Sequence, residues 1–581
     1  MAKCPLLFER IIKMKVSLVA LNAKFIHTSL ALRSLMSYAD PKGLYTVIRE
    51  YTINNRIDFI VSDIYKEKPD YIGFSCYIWN IELIKVIAKR LKKVLPSTKM
   101  FFGGPEVSYD SINFLEENPF ADIVIRGEGE KAYKSLLELW LNGDDLSKIN
   151  GIVYRTNDTI IENPGVLPIE LDKIPFVYSN AEEFKNKIIY YETQRGCPYN
   201  CQYCLSSVEK GVRFLSEKRV KSDLDFFLKN KVSQVKFVDR TFNCNHNHAM
   251  MIWKYIMEND NGITNFHMEI TADILKDEAI NLLKNARKGL FQFEIGVQST
   301  NELTIDAIKR SAKFGGIADV VKKISLGQNI HQHLDLIAGL PYENYESFKR
   351  SFNDVYALEP QQLQLGFLKL LKGSGLRIDA EKYGIVFADE APYEVLYTND
   401  ISFDELLKLK AIEEMVETFY NSGKALTAVK FAINQMGDAF GFFEILSAWW
   451  EKNGYDEISH TKMDLYDRLF QFFKQFKPLE SCISTIKELL RFDIFRLDNI
   501  KSIPKAIEGC IGESEKLFER EFYNSSLNIA KYIPMLSSYT PKQLLRMCHI
   551  EFFNINPYTC EKCRTAVLFS YAAPAQIVWK E

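Results

Sequence analysis

Three cysteines in one short loop constrain this chain more than any other feature. They lie in Arg195-Gly-Cys197-Pro-Tyr-Asn-Cys201-Gln-Tyr-Cys204-Leu-Ser206, a Cys-x3-Cys-x2-Cys spacing. A [4Fe–4S] cube normally takes four cysteines, so three hold three irons and leave the fourth open to chelate a small molecule. A structural zinc site needs four N or S ligands, and its fourth would have to come from Cys244, His246 or His248. The remaining option is a reactive Cys201-x-x-Cys204 pair. The spacing favours a cluster and leaves the other two standing.

At 581 residues the chain has room for about three to four domains of roughly 150 residues each. Its 73 basic and 75 acidic residues nearly cancel, so no bulk charge draws it to nucleic acid or an anionic membrane. Local basic patches still leave RNA open. Eleven cysteines, an odd and mostly scattered set with no signal peptide ahead of them, suit a reducing compartment. No apolar run reaches the roughly 18 residues a spanning helix needs, and the expectation is a cytoplasmic protein without a membrane partner. The first clear strand starts at Met14, so residues 1–13 are an extension or Met14 is the natural start.

Residues 14–150 alternate strand and helix. Strands are expected at 16–21, 45–50, 71–75, 99–104 and 123–127, with helices such as 81–95 between them. That alternation predicts a doubly wound parallel sheet, which binds ligands beyond the carboxyl ends of its strands. Those ends carry Asn22 to His27, Ser75-Cys-Tyr77-Ile-Trp79-Asn80, Gly103-Gly104-Pro-Glu106 and Gly127-Glu128-Gly-Glu130. No phosphate loop or dinucleotide fingerprint is among them. Residues 151–184 read as a linker.

Residues 185–372 hold six further strand candidates, at 188–193, 235–239, 266–270, 290–296, 333–337 and 363–368, with helices between. Six βα units predict a partial barrel with its chemistry at the strands' carboxyl ends. The cysteine loop follows the first of them. Asp239 and Phe242 follow the second, Glu269 lies in the third, Glu294 and Gln298 share one face of the fourth, and Leu336 and Gly339 lie at the end of the fifth.

The wording Gly196-Cys-Pro-Tyr-Asn-Cys-Gln-Tyr203-Cys, with an aromatic before the third cysteine, resembles the signature of radical S-adenosylmethionine (SAM) enzymes. An α/β domain with Gly-Phe-Ser, Gly-Gly-Pro and Gly-Glu-Gly-Glu segments ahead of such a core looks like the cobalamin-binding domain of the B12-dependent class. The resemblance implies a [4Fe–4S] cluster on Cys197, Cys201 and Cys204, reductive cleavage of SAM to a 5′-deoxyadenosyl radical, and cobalamin as methyl carrier. It implies Tyr203 against adenine, Glu294 and Gln298 against the methionyl or ribose groups, and the Leu336–Pro341 turn beside them. It further implies cobalamin contacts from the strand ends, with Ser75, Gly103 and Gly104 lining the slot for its nucleotide tail. Asn22, His27, Tyr77, Trp79 and Glu128 are the other candidates there. The Asp-x-His-x-x-Gly motif that ligates cobalt in other cobalamin proteins is absent. His27 lies in the corresponding loop with different neighbours, where a histidine more often caps or packs.

Residues 373–581 read as a mostly helical capping domain, with amphipathic helices at 403–419, 463–476 and 483–490. Ala391-Pro-Tyr-Glu-Val-Leu-Tyr-Thr398 resembles an uncharacterised C-terminal domain, DUF4080, attached to some of these enzymes. Cys548, His549, Cys560 and Cys563 fall within 16 residues, and two reduced thiols are the preferred reading of the pair over zinc.

The chain therefore reads as a cobalamin-dependent radical SAM enzyme that methylates a carbon or phosphorus centre of a small molecule or peptide. It would take electrons from a donor such as flavodoxin or ferredoxin. The alternatives are a cobalamin-using rearrangement, a tRNA modification and a zinc-stabilised binding module. Balanced charge counts against nucleic acid.

Overall fold

The computed structural model describes residues 14–39, 44–143, 145–157, 159–208, 211–497, 499–500, 503–509, 512–571 and 574–581. The alternative starts at residue 1 or 14 turn on a segment outside them. The chain forms two compact units: residues 1–348 with 366–403, and residues 349–365 with 404–581. Residues 373–403, expected in the C-terminal domain, thus belong to the first unit.

The first unit opens with a seven-stranded sheet. Its strands are β1 (Met14–Asn22), β2 (Leu44–Thr52), β3 (Tyr71–Ser75), β4 (Lys99–Gly103), β5 (Ile123–Ile125), β6 (Ile152–Thr156) and β7 (Thr159–Glu162). The order is 2-1-3-4-5-6-7. The first five strands pair in parallel, and β6 and β7 close the edge antiparallel. The expected linker at 151–184 is therefore part sheet, because Ile152 and Val153 bury against the same core as β5.

β1 shows why the sheet is covered on both sides. Val16, Leu18 and Ala20 join Leu32, Tyr133, Leu136 and Leu137 in one apolar layer. Val19 and Leu21 join Ile60, Ile64, Ile84, Ile87 and Leu91 in the other. Consecutive strand residues point to opposite faces, so a run apolar at all but Ser17 between Val16 and Leu21 is satisfied only between two helical layers. Gly73 in β3 is one place where a side chain is excluded, since a Cβ there would fall 2.2 Å from the Phe101 ring. The strand order reverses between β1 and β3, the switch point where such sheets hold ligands.

The same unit carries a second sheet. Its strands are β8 (Ile189–Tyr191), β11 (Gln234–Phe237), β12 (Asn265–Ile270), β13 (Phe291–Gln298) and β14 (His331–Ala338), in the order 14-13-12-11-8, and β15 (Gln362–Phe367) spans the chain boundary between the two units at residue 365. From β8 to β14 every pairing is parallel. β9 (Gln194–Arg195) and β10 (Arg213–Phe214) form a two-residue antiparallel ladder beside the cysteine loop. One face of these strands is apolar: Phe266, Met268, Phe291, Phe293, Leu334 and Leu336 are all buried. The alternate positions are polar, with Lys236 on β11, His267 and Glu269 on β12, Glu294 on β13, and His331, His333 and Asp335 on β14. Helices on the apolar side and a polar bore make the expected partial barrel. β16 (Val386–Phe387) and β17 (Val395–Tyr397) follow as a short antiparallel pair.

The second unit contains helices Leu426–Met436, Ala439–Lys452, Lys462–Gln475 and Ile483–Leu497. It ends in an antiparallel sheet of β18 (His549–Ile555), β19 (Lys562–Phe569) and β20 (Gln576–Lys580). The unit is mostly helical as expected, and this sheet is an addition the sequence reading did not include. Buried Asp493 accepts from the Thr427 and Ala428 N–H groups at 2.9 and 3.0 Å, capping a helix start. Among the described residues no helix is long and apolar enough to cross a membrane.

Candidate active site

The cysteine loop leaves the carboxyl end of β8 and is held by a buried carboxylate. Asp239, fully buried, accepts from the Thr193 N–H at 2.7 Å, the Gln194 N–H at 3.1 Å and the Thr193 hydroxyl. Burial pushes its carboxyl up to about 7 against those donors. Gln194 Nε2 donates to the Thr241 carbonyl at 2.6 Å. Gly196 turns the chain at φ +96°, and a Cβ there would meet the Gly211 carbonyl at 2.0 Å. Further along, Gln202 N–H donates to the Ile308 carbonyl at 3.0 Å and Leu376 N–H to the Gln202 carbonyl at 2.9 Å.

The three thiols lie on this loop at different depths. Cys201 is 9% exposed and Cys197 and Cys204 are half-buried. Burial, and then the charges of Cys204 and Cys197, raise the Cys201 thiol, while Arg310 opposes them. Among the described residues no three His, Cys, Asp or Glu side chains converge on one ion. Ligands of a cube bind separate irons and need no such convergence, so the donor set fits a cube with one iron open. The zinc alternative is less well served. Cys244 Sγ donates to Gln194 Oε1 at 3.5 Å, His248 Nε2 lies 3.1 Å from Thr193 Oγ1, and His246 faces Glu278 at 3.5 Å. Burial holds His248 down at about 4. Cys548 is buried in the core of the second unit, and Cys560 lies between β18 and β19.

Glu294 lies in the bore with Lys236 Nζ at 3.0 Å and His267 Nε2 at 3.1 Å. Burial opposes its charge, but His267 and Lys236 hold the carboxyl down at about 2. Glu269 faces Glu294 across the paired strands, and burial followed by that neighbouring charge raises it to about 7. His333 Nε2 lies 3.1 Å from Asp335 Oδ1. Gln298 ends β13 at φ +72° beyond a register shift, with its Oε1 buried and unpartnered. A buried orphan acceptor at this strand end fits a polar group of bound SAM.

Several expected contacts have other work. Phe242 is fully buried against Phe237 and Trp253 and belongs to the core. Asp239 is consumed by the loop backbone. Leu336 is fully buried with the apolar side of β14, so only its backbone borders the turn. Gly339, at φ +86°, packs where a Cβ would be 2.7 Å from Val395. Tyr203 accepts at its hydroxyl from Arg310 at 3.2 Å.

The first sheet presents its carboxyl ends to this mouth. Tyr77 and Trp79 stack at 4.5 Å, with Trp79 46% exposed. Trp79 Nε1 and Asn80 Nδ2 both donate to the Leu21 carbonyl, tying the loop after β3 to the end of β1. Burial raises the Tyr77 hydroxyl, and the charges of Arg240 and Glu192 act on it from the barrel side. Gly104 adopts φ +110°, where a Cβ would meet the Cys76 carbonyl at 2.4 Å. Gly103 is less confined, with Ile125 O 3.7 Å from a Cβ. Ser75 is buried beside the Val19 carbonyl, and Asn22 Nδ2 donates to the His27 carbonyl at 3.0 Å. A flat aromatic pair at a switch point beside a backbone-lined turn fits a planar cofactor. His27 Nδ1 pairs with the Tyr190 hydroxyl at 2.6 Å, consistent with packing rather than metal ligation. Glu128 is tied up in ion pairs with Arg213 and Arg195 and accepts from the Ile169 N–H at 3.1 Å, so it is a strut and not a slot residue.

Two cations were missed by sequence reasoning. Arg195 pairs with Glu130 at 2.6 Å and Glu192 at 2.9 Å, and Arg310 lies behind the cysteine loop. The polar bore had a signal, since Lys236, His267, Glu269, Glu294, His333 and Asp335 occupy alternate positions in apolar strands. Arg310 had none.

Residues 16–137 match the B12 binding domain model, 191–355 the Radical SAM superfamily, and 381–569 the protein of unknown function DUF4080. The cobalamin-dependent radical SAM methyltransferase TokK of Streptomyces tokunonensis is 26% identical over 55% of this chain and 50% of its own length. The uncharacterized methyltransferase PH0819 of Pyrococcus horikoshii is 28% identical over 44% of this chain and 60% of its own. The matched part thus spans about half the length of these relatives. The fold matches that of OxsB, a cobalamin-dependent SAM radical enzyme solved with aqua-cobalamin and SAM bound, with a TM-score of 0.59 at 16% identity over 90% of this chain and 84% of that one.

Proposed function

We propose that this chain, which joins a B12 binding domain to a radical SAM core and a DUF4080 segment, is a cobalamin-dependent radical SAM methyltransferase. Its target is an unactivated carbon or phosphorus centre of a small molecule or peptide, and its electrons come from a donor such as flavodoxin or ferredoxin in the cytoplasm. The observation that carries this reading is the clamp on Arg195. Two residues before Cys197, its guanidinium is gripped by Glu130 from the first sheet's last ligand-edge loop and by Glu192 from the end of β8. The base of the cysteine loop and the ligand edge of the first sheet are thereby one assembly. The relatives' methyltransferase names support the reaction class.

Cys197, Cys201 and Cys204 would hold the cluster. Glu294 and Gln298 would border SAM, and Asn22, Ser75, Tyr77, Trp79, Gly103 and Gly104 would border cobalamin. These groups, when bound, supply the electron that cleaves SAM and the carrier for the methyl group. The chain's own residues fix the geometry. Asp239 sets the approach of the loop through two N–H donors. Lys236 and His267 keep Glu294 ionised, so a fixed negative charge faces the bore. Glu269, near neutrality, holds or releases a proton at its carboxyl oxygen.

The test is anaerobic purification after cobalamin supplementation, followed by iron, sulfide and cobalt analysis. The native chain retains all three, and a Cys197→Ala/Cys201→Ala/Cys204→Ala variant loses iron and sulfide while keeping cobalt. Methyl-labelled SAM incubated with cell extract labels a product fraction only when a reductant is added. Absence of cobalt defeats the cobalamin assignment, and labelling without reductant defeats the radical step.

A further inference from the structure

We propose that residues 370–393 form a strap that couples the ligand edge of the first sheet to the cysteine loop, so that a corrinoid seated on the one orders the other. The inference rests on the cobalamin reading above and concerns the regulation of that site. The two ends of the strap are tied together, with Leu370 N–H donating to the Tyr393 carbonyl at 3.0 Å. Arg377 braces it from within. Its guanidinium lies 4.7 Å over the Tyr393 ring and 5.0 Å over the Phe387 ring, and Nη1 donates to the Leu370 carbonyl at 2.6 Å.

One part of the strap grips the turn after β4. The Tyr393 hydroxyl donates to Glu106 Oε2 at 2.9 Å, and both residues are buried. Lys372 Nζ lies 3.7 Å from Asp110 Oδ2. Gly373, at φ +87°, approaches Tyr109 so closely that a Cβ would fall 2.6 Å from its ring. Ala391 packs against the apolar core of the sheet. This turn starts at Gly104, two residues before Glu106 and among the residues assigned above to cobalamin.

Another part grips the cysteine loop. Leu376 N–H donates to the Gln202 carbonyl at 2.9 Å, and a Cβ on Gly375 would fall 2.1 Å from Gln202 Oε1. Gln202 stands between Cys201 and Tyr203. Named contacts therefore run from Gly104 and Glu106 through Tyr393, Leu370 and Leu376 to the residue beside Cys201. Glycines at 373 and 375 give the strap little stiffness of its own, so its shape depends on the partners it grips. A ligand that fixes the turn at Gly104 meets part of the ordering cost of the strap, and with it that of the loop at Gln202. Such coupling is reciprocal for binding. Tyr393 and Lys372 are positioning residues in this scheme and touch neither thiols nor cofactor slot.

The experiment is amide hydrogen exchange on the full, cluster-free chain with and without hydroxocobalamin, read by mass spectrometry in peptides covering residues 195–205 and 370–380. In the native chain hydroxocobalamin is expected to slow exchange at least about fivefold in both segments. Tyr393→Phe removes the bond to Glu106. It is expected to bind hydroxocobalamin as the native chain does, by equilibrium dialysis, while exchange in 195–205 no longer responds. Native binding with unchanged exchange in 195–205 overturns the proposal, and so does a Tyr393→Phe chain that keeps the native slowing there. If Tyr393→Phe does not fold, Lys372→Ala, which releases the strap from Asp110, is read in the same way. A reduced response in 195–205 supports the strap, and a native one overturns it. A native chain that binds no hydroxocobalamin defeats the cobalamin reading and the strap with it, an outcome the dialysis separates from a failure of coupling alone.

Discussion

Thr193 N–H donates to Asp239 Oδ1 at 2.7 Å, so the chain entering the cysteine loop hangs from a fully buried carboxylate at the end of β11. Asp239→Ala leaves the Thr193 and Gln194 N–H donors unpaired in the interior, at about 1–3 kcal/mol each. The expected outcome is a large loss of iron and sulfide per chain with cobalt retained. Metal analysis of the purified variant checks it, and full iron loading contradicts it.

Gly296 separates Glu294 from Gln298 and has no room for a side chain. A Cβ there would fall 2.1 Å from Gln298 Nε2 and 3.5 Å from Arg310 Nη2. Gly296→Ala is expected to weaken SAM binding at least tenfold and to destabilise the chain by about 1–3 kcal/mol. Equilibrium dialysis with labelled SAM and thermal melting read the two effects separately.

Tyr393 donates its hydroxyl to Glu106 Oε2 at 2.9 Å, joining the turn after β4 to the segment before β17. Burial raises the Glu106 carboxyl and the Tyr393 bond opposes that. Tyr393→Phe strands a buried acceptor and is expected to cost about 1–3 kcal/mol. A double-mutant cycle with Glu106→Gln is expected to give a coupling of about 1 kcal/mol by thermal melting. Additive single losses contradict a direct bond.

Glu269 gives a pH signature. Its folded carboxyl titrates near 7, well above the ordinary carboxylate range. Between the ordinary value and about 7 the folded chain binds more protons than the unfolded one, so stability falls as pH rises through that window. Glu269→Gln removes this contribution. The variant is expected to match native stability near pH 4 and to exceed it by roughly 2 kcal/mol at pH 8, allowing for screening at this half-buried site. Melting curves across the window decide the matter, and an unchanged difference at the two ends contradicts it.

Much of the architecture was legible in the chain. The strands at 71–75 and 99–103 fall where local apolar runs and flanking breakers put them, because burial on both faces demands an unbroken apolar run. The hairpin of β6 and β7 was missed: β7 is mostly exposed and has little apolar signal, so Ile152–Glu162 read as linker. β18 to β20 were missed in a stretch dominated by helical spacing. Phe242 was misread because its position beside Asp239 in the chain says nothing of which way its ring turns.

What the sequence by itself determined was local. The thiols lie within one eight-residue span, and covalent spacing alone keeps them together. Alternating polar and apolar positions set which faces of β12, β13 and β14 line the bore. Tertiary structure decided the partners. Arg195 meets Glu130 from 65 residues away, Arg310 meets Tyr203 from 107, and Tyr393 meets Glu106 from 287. Such pairs leave no periodic trace, because a charged residue at a loop or helix end has no spacing rule to name its partner. Only the packing of elements far apart in the chain brings these groups together, and with them the site.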